Sequence, residues 1–568
     1  MKPDSVSPPP VLILGAGING CCVARELVLN GVPVVIVDRH DIATGATAKS
    51  SRLIHGGVRY LEYGDFGLVR ESLAERARLL RLAPQFVRPL RLHIPVRRRT
   101  GGLTQSALRF LRFDRLAAGR WLAKRMPISE RGLWTIRIGL WLYDLIARDS
   151  TLPRHSVARI GNHAAPRVDA EEYRWLCAYS DAQILYPERF VIALLEDARR
   201  EAERAGVDFR VFTYHQTELD GSTARVHSID DPDQVSLELR PATIVNATGA
   251  WGDLTLGELR IPSPQLFGGT KGSHIITRQP ALVAALRGDA IYAEAADGRL
   301  VFVLPFGESV LVGTTDEPIT ESPDKAVATP QDVDYLVGMV NEVFSDVRLA
   351  VADVDAHYCG VRPLPKVNAA RAGAIPRGHW IETSTAGPVT VDTLIGGKLT
   401  TCRAFGELAA DRILQRLGVK RTAGTQARAV PGSDDYPADP EELAERIGAI
   451  SDDTGFSAGQ VAAVWDLAGT DARNILSAAR DGDRANLPGT SIPLTFVDWS
   501  IAREWVRHVE DLVERRLMLA WEPGLCCKTL EALAGRLQRA GGIGAPQIES
   551  EVASAAARLE RFYGRRVS

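Results

Sequence analysis

The sequence predicts a multidomain α/β protein, on three observations. The chain opens with a strand, a glycine-rich turn, a helix and a second strand; its middle alternates like a sheet; and its last third has helical periodicity with acidic helix starts. At 568 residues it is too long for one core, and 45% hydrophobic with 24% charged residues is the balance of a folded globular protein. The lead "MKPDSVSPPP" has no basic segment followed by an apolar run, so it reads as a short flexible lead and not as a secretory signal. The most apolar stretch, "WTIRIGLWLYDLIA", is interrupted by Arg137 and Asp144, so no bilayer span is expected.

In "VLILGAGINGCCVARELVLNGVPVVIVD", Val11 to Leu14 reads as a strand and Gly15, Gly17 and Gly20 fill G-x-G-x-x-G. A helix runs to about Asn30, and a second strand ends in Asp38, 18 residues beyond Gly20. Glycines let backbone N–H groups and a helix N-terminus approach a pyrophosphate, and a carboxylate at the end of the second strand accepts ribose hydroxyls. NAD and FAD both use this unit. "VNATGAWGD", with Asn246, Ala247, Thr248 and Gly249, resembles the later A-T-G segment of flavoproteins with two dinucleotide folds. "VDTLIGGKLTTCRAFGELAADRIL" then places Gly396, Gly397 and Lys398 at the opening of an amphipathic helix, whose N-terminus stabilises negative charge on a reduced flavin ring. Each segment alone also reads as a glycine turn after a strand; three in this order favour FAD.

Between Arg88 and Arg137 stand 13 Lys or Arg residues and two acids, a net of +11, so the rest of the chain carries −13. As a helix, Leu103 to Arg125 sets Phe110, Leu111, Trp121 and Leu122 on one side, with Arg109, Arg112, Arg120 and Lys124 opposite. That pattern fits a membrane-surface anchor, and equally a helix packed on its own domain. No nucleic-acid motif accompanies the charge, so no nucleic-acid partner is expected. "RLVFVLPFGESVLVGTTDEP" alternates and turns near Gly307 as a hairpin does, "VPGSDDYPADPEE" reads as a linker, and "PEELAERIGAI" and "SAGQVAAVWDLA" are helical in period. The seven cysteines form no C-x-x-C pair and no Cys/His metal spacing, so reduced thiols and no metal are expected.

Several segments in this order resemble the FAD-dependent glycerol-3-phosphate dehydrogenases of the aerobic, respiratory type: "GAGINGCCVARE", "DIATGATAKSSRLIHGGVRYLE", "STLPRHS", "KGSHII", "VLVGTTDEP", "YCGVRPL" and "GGKLTT", with "REWVRHVEDLVERRLML" similar to that family's terminal helical domain. The resemblance covers about residues 11 to 405 and part of the C-terminus. It implies an FAD-binding domain with two dinucleotide folds (Rossmann-like), an inserted antiparallel substrate domain and a C-terminal helical domain. The expected ranges are 10–95 and 151–260 for the FAD domain, 96–150 for the basic insertion, 261–355 for the substrate sheet, 356–425 for a closing segment and 426–568 for the helical domain. It also implies oxidation of sn-glycerol 3-phosphate to dihydroxyacetone phosphate by hydride transfer to flavin N5. Electrons then pass to a membrane quinone, from a cytoplasmic protein held peripherally at the inner face of the cell membrane.

A phosphate dianion needs fixed cations, for which the planar fork of arginine is the best donor. The family's substrate-binding positions map onto Arg59, Tyr60, His274, Arg362, Arg377 and Lys398. Of these, His274, Arg362 and Lys398 form the catalytic set. His274 is the first choice of base, because histidine titrates near neutrality; Arg362 would also stabilise alkoxide charge. Cofactor contacts are expected from Gly15, Gly17, Gly20, Asp38, Thr47, Ser50, Ser51, Gly56, Gly57, Ala247, Gly249, Gly397, Lys398, Leu399 and Thr400, with Gly56 and Gly57 letting the backbone pass under the flavin ring. Plainer readings stay open: surface ion pairs for the arginines, a satisfied interior histidine, and a helix cap at Lys398. Alternatives to the whole are an oxidase of the same fold that uses oxygen or acts on another 2-hydroxy acid, and a non-catalytic FAD- or membrane-binding protein. A homodimer is one option the sequence leaves open.

Overall fold

Val11–Leu14 and Val34–Asp38 are apolar almost throughout, as strands covered on both faces must be, and all but Asp38 at their end are buried. In the computed structural model, which describes residues 8–100, 132–149, 151–161, 165–295, 299–319, 321–367, 377–478 and 483–568, they form the centre of a six-stranded sheet. Its order is Trp380–Ala386, Val389–Ile395, Thr243–Asn246, Val11–Leu14, Val34–Asp38, Phe209–Thr213. Every pairing is parallel except the edge hairpin of Trp380–Ala386 with Val389–Ile395. Helices Ile18–Leu29, Pro187–Ala205 and Cys402–Leu417 bury one face of each in the core beside this sheet. Two of them meet closely: a Cβ on Gly406 would fall 2.5 Å from the Cβ of Cys22. The chain therefore leaves three adjacent parallel strands at Gly15, Ala247 and Gly396, on one edge of the sheet. That edge is where open α/β sheets bind ligands.

A second sheet of ten strands stands beyond this edge. Thr270–Thr277 pairs antiparallel with Ser309–Gly313 and with Ala356–Arg362. The expected hairpin forms between Leu300–Phe306 and Ser309–Gly313, with Gly307 in the left-handed region at φ 58°. Val87–Val96 and Trp175–Ile184 pair over ten positions and join this sheet, so the ranges 10–95 and 151–260 do not build the cofactor domain alone. The reason is legible in Val87–Val96, where buried and exposed residues mix as in a strand covered on one face. The basic stretch 103–125 lies outside the described residues.

No helix or strand lies between Leu417 and Pro440, where the sequence places a linker. The helices that follow are capped as their sequences dictate: Asp439 accepts from the Glu441 and Glu442 N–H groups, and Ser457 forms a capping box with Gln460. The C-terminal helical domain is fastened to the cofactor domain through Asp41, which accepts from Arg515 Nε at 2.5 Å and from Arg516 Nη1 and Nη2 at 2.6 and 2.8 Å.

Candidate active site

The carboxyl edge of the parallel sheet opens into a cleft of about 360 Å³ that reaches the second sheet. At one end the glycine turn is held by the Gly15 N–H donating to Val37 O at 2.8 Å, and the Ala16 N–H donating to Asp38 Oδ2 at 2.7 Å. Gly15 sits at φ 104°, and a Cβ there would fall 2.7 Å from Ala247 O. At Gly17 a Cβ would meet only Thr47 Oγ1, at 3.6 Å, so the start of helix Ile18–Leu29 is bare toward the cleft. Gly20 serves packing instead: a Cβ there would lie 2.1 Å from Gly15 O, and the residue stands outside the cleft lining. Burial pushes the Asp38 carboxyl up, against the His40 and Ala16 N–H groups that favour its charge. Thr47, Ser50, Ser51, Ala247 and Gly249 line the same space, as do Gly397, Lys398, Leu399 and Thr400 from the turn that leads into helix Cys402–Leu417.

Two glycines in the second sheet make room for two of the candidate side chains. His274 lies across Gly313, where a Cβ would fall 2.1 Å from its ring, and Arg362 lies across Gly272, where a Cβ would fall 2.3 Å from Nη2. Arg362 and Arg377 converge on Asp316, at 3.0 Å to Oδ1 and 3.4 Å to Oδ2. Arg362 also donates to Thr314 Oγ1 at 2.9 Å and to Thr315 O at 3.2 Å. Lys398 Nζ donates to Ser72 Oγ at 2.8 Å and stands 4.6 Å from the Tyr60 ring centroid. Burial lowers its pKa to about 8, against the pull of Glu71, Asp65 and Asp181. Tyr60, His274, Arg362, Arg377 and Lys398 thus share one end of the cleft.

His274 Nε2 is 2.9 Å from Ser51 Oγ, and its ring stacks on Tyr358 at 4.6 Å. The expectation that it titrates near neutrality does not hold. Burial first, and then the Arg362 and Arg52 guanidinium groups, hold its pKa well below the usual value, so the ring is neutral at physiological pH. A second histidine, His55, lines the cleft and was passed over in the sequence although it stands within "RLIHGGVRY". Burial and the nearby Lys398 bring its pKa down to about 4. Its backbone N–H donates to Thr400 Oγ1 at 3.0 Å, tying the two glycine segments together. Asp316 was likewise missed, though "GTTDEP" contains it.

Arg59, Gly56 and Gly57 stand outside the lining. The place a Cβ of Gly56 would take is filled by Leu73 and the Tyr143 hydroxyl, each 2.4 Å away, and the Gly56 N–H donates to Tyr143 Oη at 2.9 Å. Gly57, at φ 74°, has the Tyr60 ring 2.2 Å from its own missing Cβ. Packing at Gly56 and backbone conformation at Gly57 each require glycine. Arg59 is near enough to Tyr60 to lower its hydroxyl pKa alongside Arg377 and Arg362, although burial raises that pKa more.

A turn bare of side chains at a helix start, a carboxylate at the second strand end and two further glycine segments define a flavin-dependent oxidoreductase. The chain belongs to the FAD dependent oxidoreductase family, whose profile matches residues 10–412. Among curated relatives, a glycerol-3-phosphate dehydrogenase of Synechocystis sp. is 34% identical over 459 residues, covering 77% of this chain and 76% of its own. A D-erythritol 1-phosphate dehydrogenase of Brucella abortus is 26% identical over 511 residues, covering 89% and 93%. Among solved structures, the glycerol-3-phosphate dehydrogenase of Bacillus halodurans complexed with FAD shares the fold, with a TM-score of 0.70 at 19% identity over 97% of this chain and 94% of that one. FAD is the cofactor of this chain, and the bare cradle at Gly17 fits its pyrophosphate.

Proposed function

We propose that the chain oxidises sn-glycerol 3-phosphate at C2 to dihydroxyacetone phosphate. The observation that carries this reading is the convergence of Arg362 and Arg377 on one carboxylate, beside two neutral histidines, at the end of a flavin cleft. When bound, FAD accepts the two electrons. Asp316 holds the two guanidinium groups a short distance apart until a phosphate dianion, with more charge and more acceptor oxygens, takes its place. Lys398 adds a third cation and Tyr60 a wall. His274 receives the C2 hydroxyl proton. Its low pKa is partly the work of Arg362, so a dianion that neutralises Arg362 strengthens the imidazole as a base when substrate arrives.

The names of the relatives support a polyol phosphate as substrate, and the Brucella enzyme makes a four-carbon one the second reading. The electron acceptor we assign is a membrane quinone, reached from a peripheral position, as the resemblance to the respiratory glycerol-3-phosphate dehydrogenases implies. The test is anaerobic addition of sn-glycerol 3-phosphate to the yellow holoprotein. Bleaching of the flavin band, lost in Arg362→Ala with FAD retained, is expected. Bleaching by D-erythritol 1-phosphate alone would move the assignment to the longer substrate, and a flavin that stays oxidised with both would overturn it.

A further inference from the structure

The helix Leu133–Ala147 has two faces. Leu133, Ile136, Leu140 and Tyr143 are buried against the protein, whereas Trp134, Ile138, Trp141 and Leu145 are 43, 51, 56 and 55% exposed. At 100° per residue these four fall within a single narrow stripe, opposite the buried face and about 16 Å long. Single exposed apolar residues need no explanation, but a continuous stripe with two tryptophans does.

Its border is cationic. Arg137, one turn along, lies with its guanidinium 5.2 Å from the Trp134 ring centroid. It shares a surface hollow with Leu133, His155, Arg159 and Trp175, and a second hollow at the helix C-terminus holds Arg148 and Arg154. All four arginines are exposed, and among the described residues none is in an ion pair. The nearby acids are engaged elsewhere, Asp144 with His155 at 2.7 Å and Asp149 with Arg76 at 3.4 Å.

We propose that this stripe docks on an anionic lipid surface, with the helix lying flat, both tryptophans at the level of the headgroups and the arginines on lipid phosphates. The inference rests on the peripheral-membrane reading above and names the surface that reading lacks. Charge selects lipid over a second copy, because a symmetric contact would bring the same arginines together; tryptophan and arginine flanking an apolar face is the composition that lipid interfaces favour. The buried face of the same helix carries Tyr143, whose hydroxyl accepts from Gly56 and donates to Asp181 at 2.6 Å. Lipid contact and the wall beside the cleft therefore share one helix.

The test sediments holoprotein with vesicles of phosphatidylcholine alone or with about one third phosphatidylglycerol. Dye reduction by sn-glycerol 3-phosphate in solution serves as the control for folding. Wild type is expected to partition at least tenfold more strongly onto the anionic vesicles, less so at high salt. Trp134→Ser/Trp141→Ser and, separately, Arg137→Glu/Arg159→Glu should each lose at least tenfold in binding while dye reduction stays unchanged. Equal vesicle binding by wild type and both variants would overturn this surface and leave the membrane reading standing. No vesicle binding by wild type would overturn both, and a dimer in sedimentation velocity that the tryptophan variant abolishes would give the stripe to a second copy instead.

Discussion

Among the aspartates that hold a pair of arginines in the described residues, Asp41 and Asp316 differ most plainly in what surrounds them. Between Asp41 and Arg515/Arg516 the side chains are 0 to 2% exposed. The neighbouring donors are engaged as well: Arg516 reaches Glu504 O at 2.8 Å, and Arg515 reaches Asp511 and Glu514 at 3.0 and 2.8 Å. Between Asp316 and Arg362/Arg377 the side chains are 22 to 24% exposed, the contacts are longer, and the group faces the cleft. The first cluster is closed and fastens two domains. The second is open, so its aspartate can exchange with an arriving dianion. Residue types alone do not separate a structural lock from a binding site; burial and saturation of the donors do.

The largest effect is expected at the closed cluster. Asp41→Asn leaves the buried Arg516 guanidinium without its paired carboxylate and takes from Arg515 one of three, and breaking such a buried pair costs about 3 to 5 kcal/mol; the thermal unfolding midpoint should fall by several degrees. At the open cluster Arg362→Ala should leave the midpoint almost unmoved and lower kcat/KM by two to three orders of magnitude, about 3 to 4 kcal/mol at tenfold per 1.36 kcal/mol. Asp316→Asn removes the internal competitor, so inorganic phosphate should inhibit several-fold more tightly in steady-state assays. A midpoint drop for Asp316→Asn as large as for Asp41→Asn would erase the distinction.

The smallest effect on stability that is expected to depend on pH concerns Lys398. Its pKa in the fold is about 8, below the 10.5 of a free lysine. Between these values the unfolded chain holds a proton that the native state has released, so stability rises with pH across that window, and below it the buried charge is a cost. Lys398→Met should therefore raise the midpoint by a few degrees at pH 7 and by little at pH 10, while activity is lost. Wild-type KM should climb above pH 8 as the cation disappears, and Lys398→Arg should postpone that climb.

Much of this was legible in the chain because it lies in local patterns. Gly15, Gly17 and Asp38 sit at fixed spacing around one turn, and the strands that flank them are apolar runs. The partition of strands between the two sheets was not, since the pairing of Val87–Val96 with Trp175–Ile184 joins segments about 80 residues apart and no local signal specifies it. The substrate end was legible only as a set of residue types. His274 lines the cleft, but its protonation is decided by burial and by Arg362, which come from the folded environment. Asp316 escaped notice because an acid beside a phosphate site looks wrong until two arginines are seen to need a resting partner. The exposed stripe on Leu133–Ala147 was hidden in a run that reads simply as apolar.

Whether Arg362 and Arg377 take a phosphate is read most directly from the ratio of anaerobic flavin reduction rates with sn-glycerol 3-phosphate and with glycerol. Wild type should favour the phosphate ester by at least about a thousandfold, two to three charge-assisted contacts in size, and Arg362→Ala should shrink that ratio by at least tenfold. Equal rates with the two alcohols in wild type, or a ratio that Arg362→Ala leaves untouched, would contradict the account.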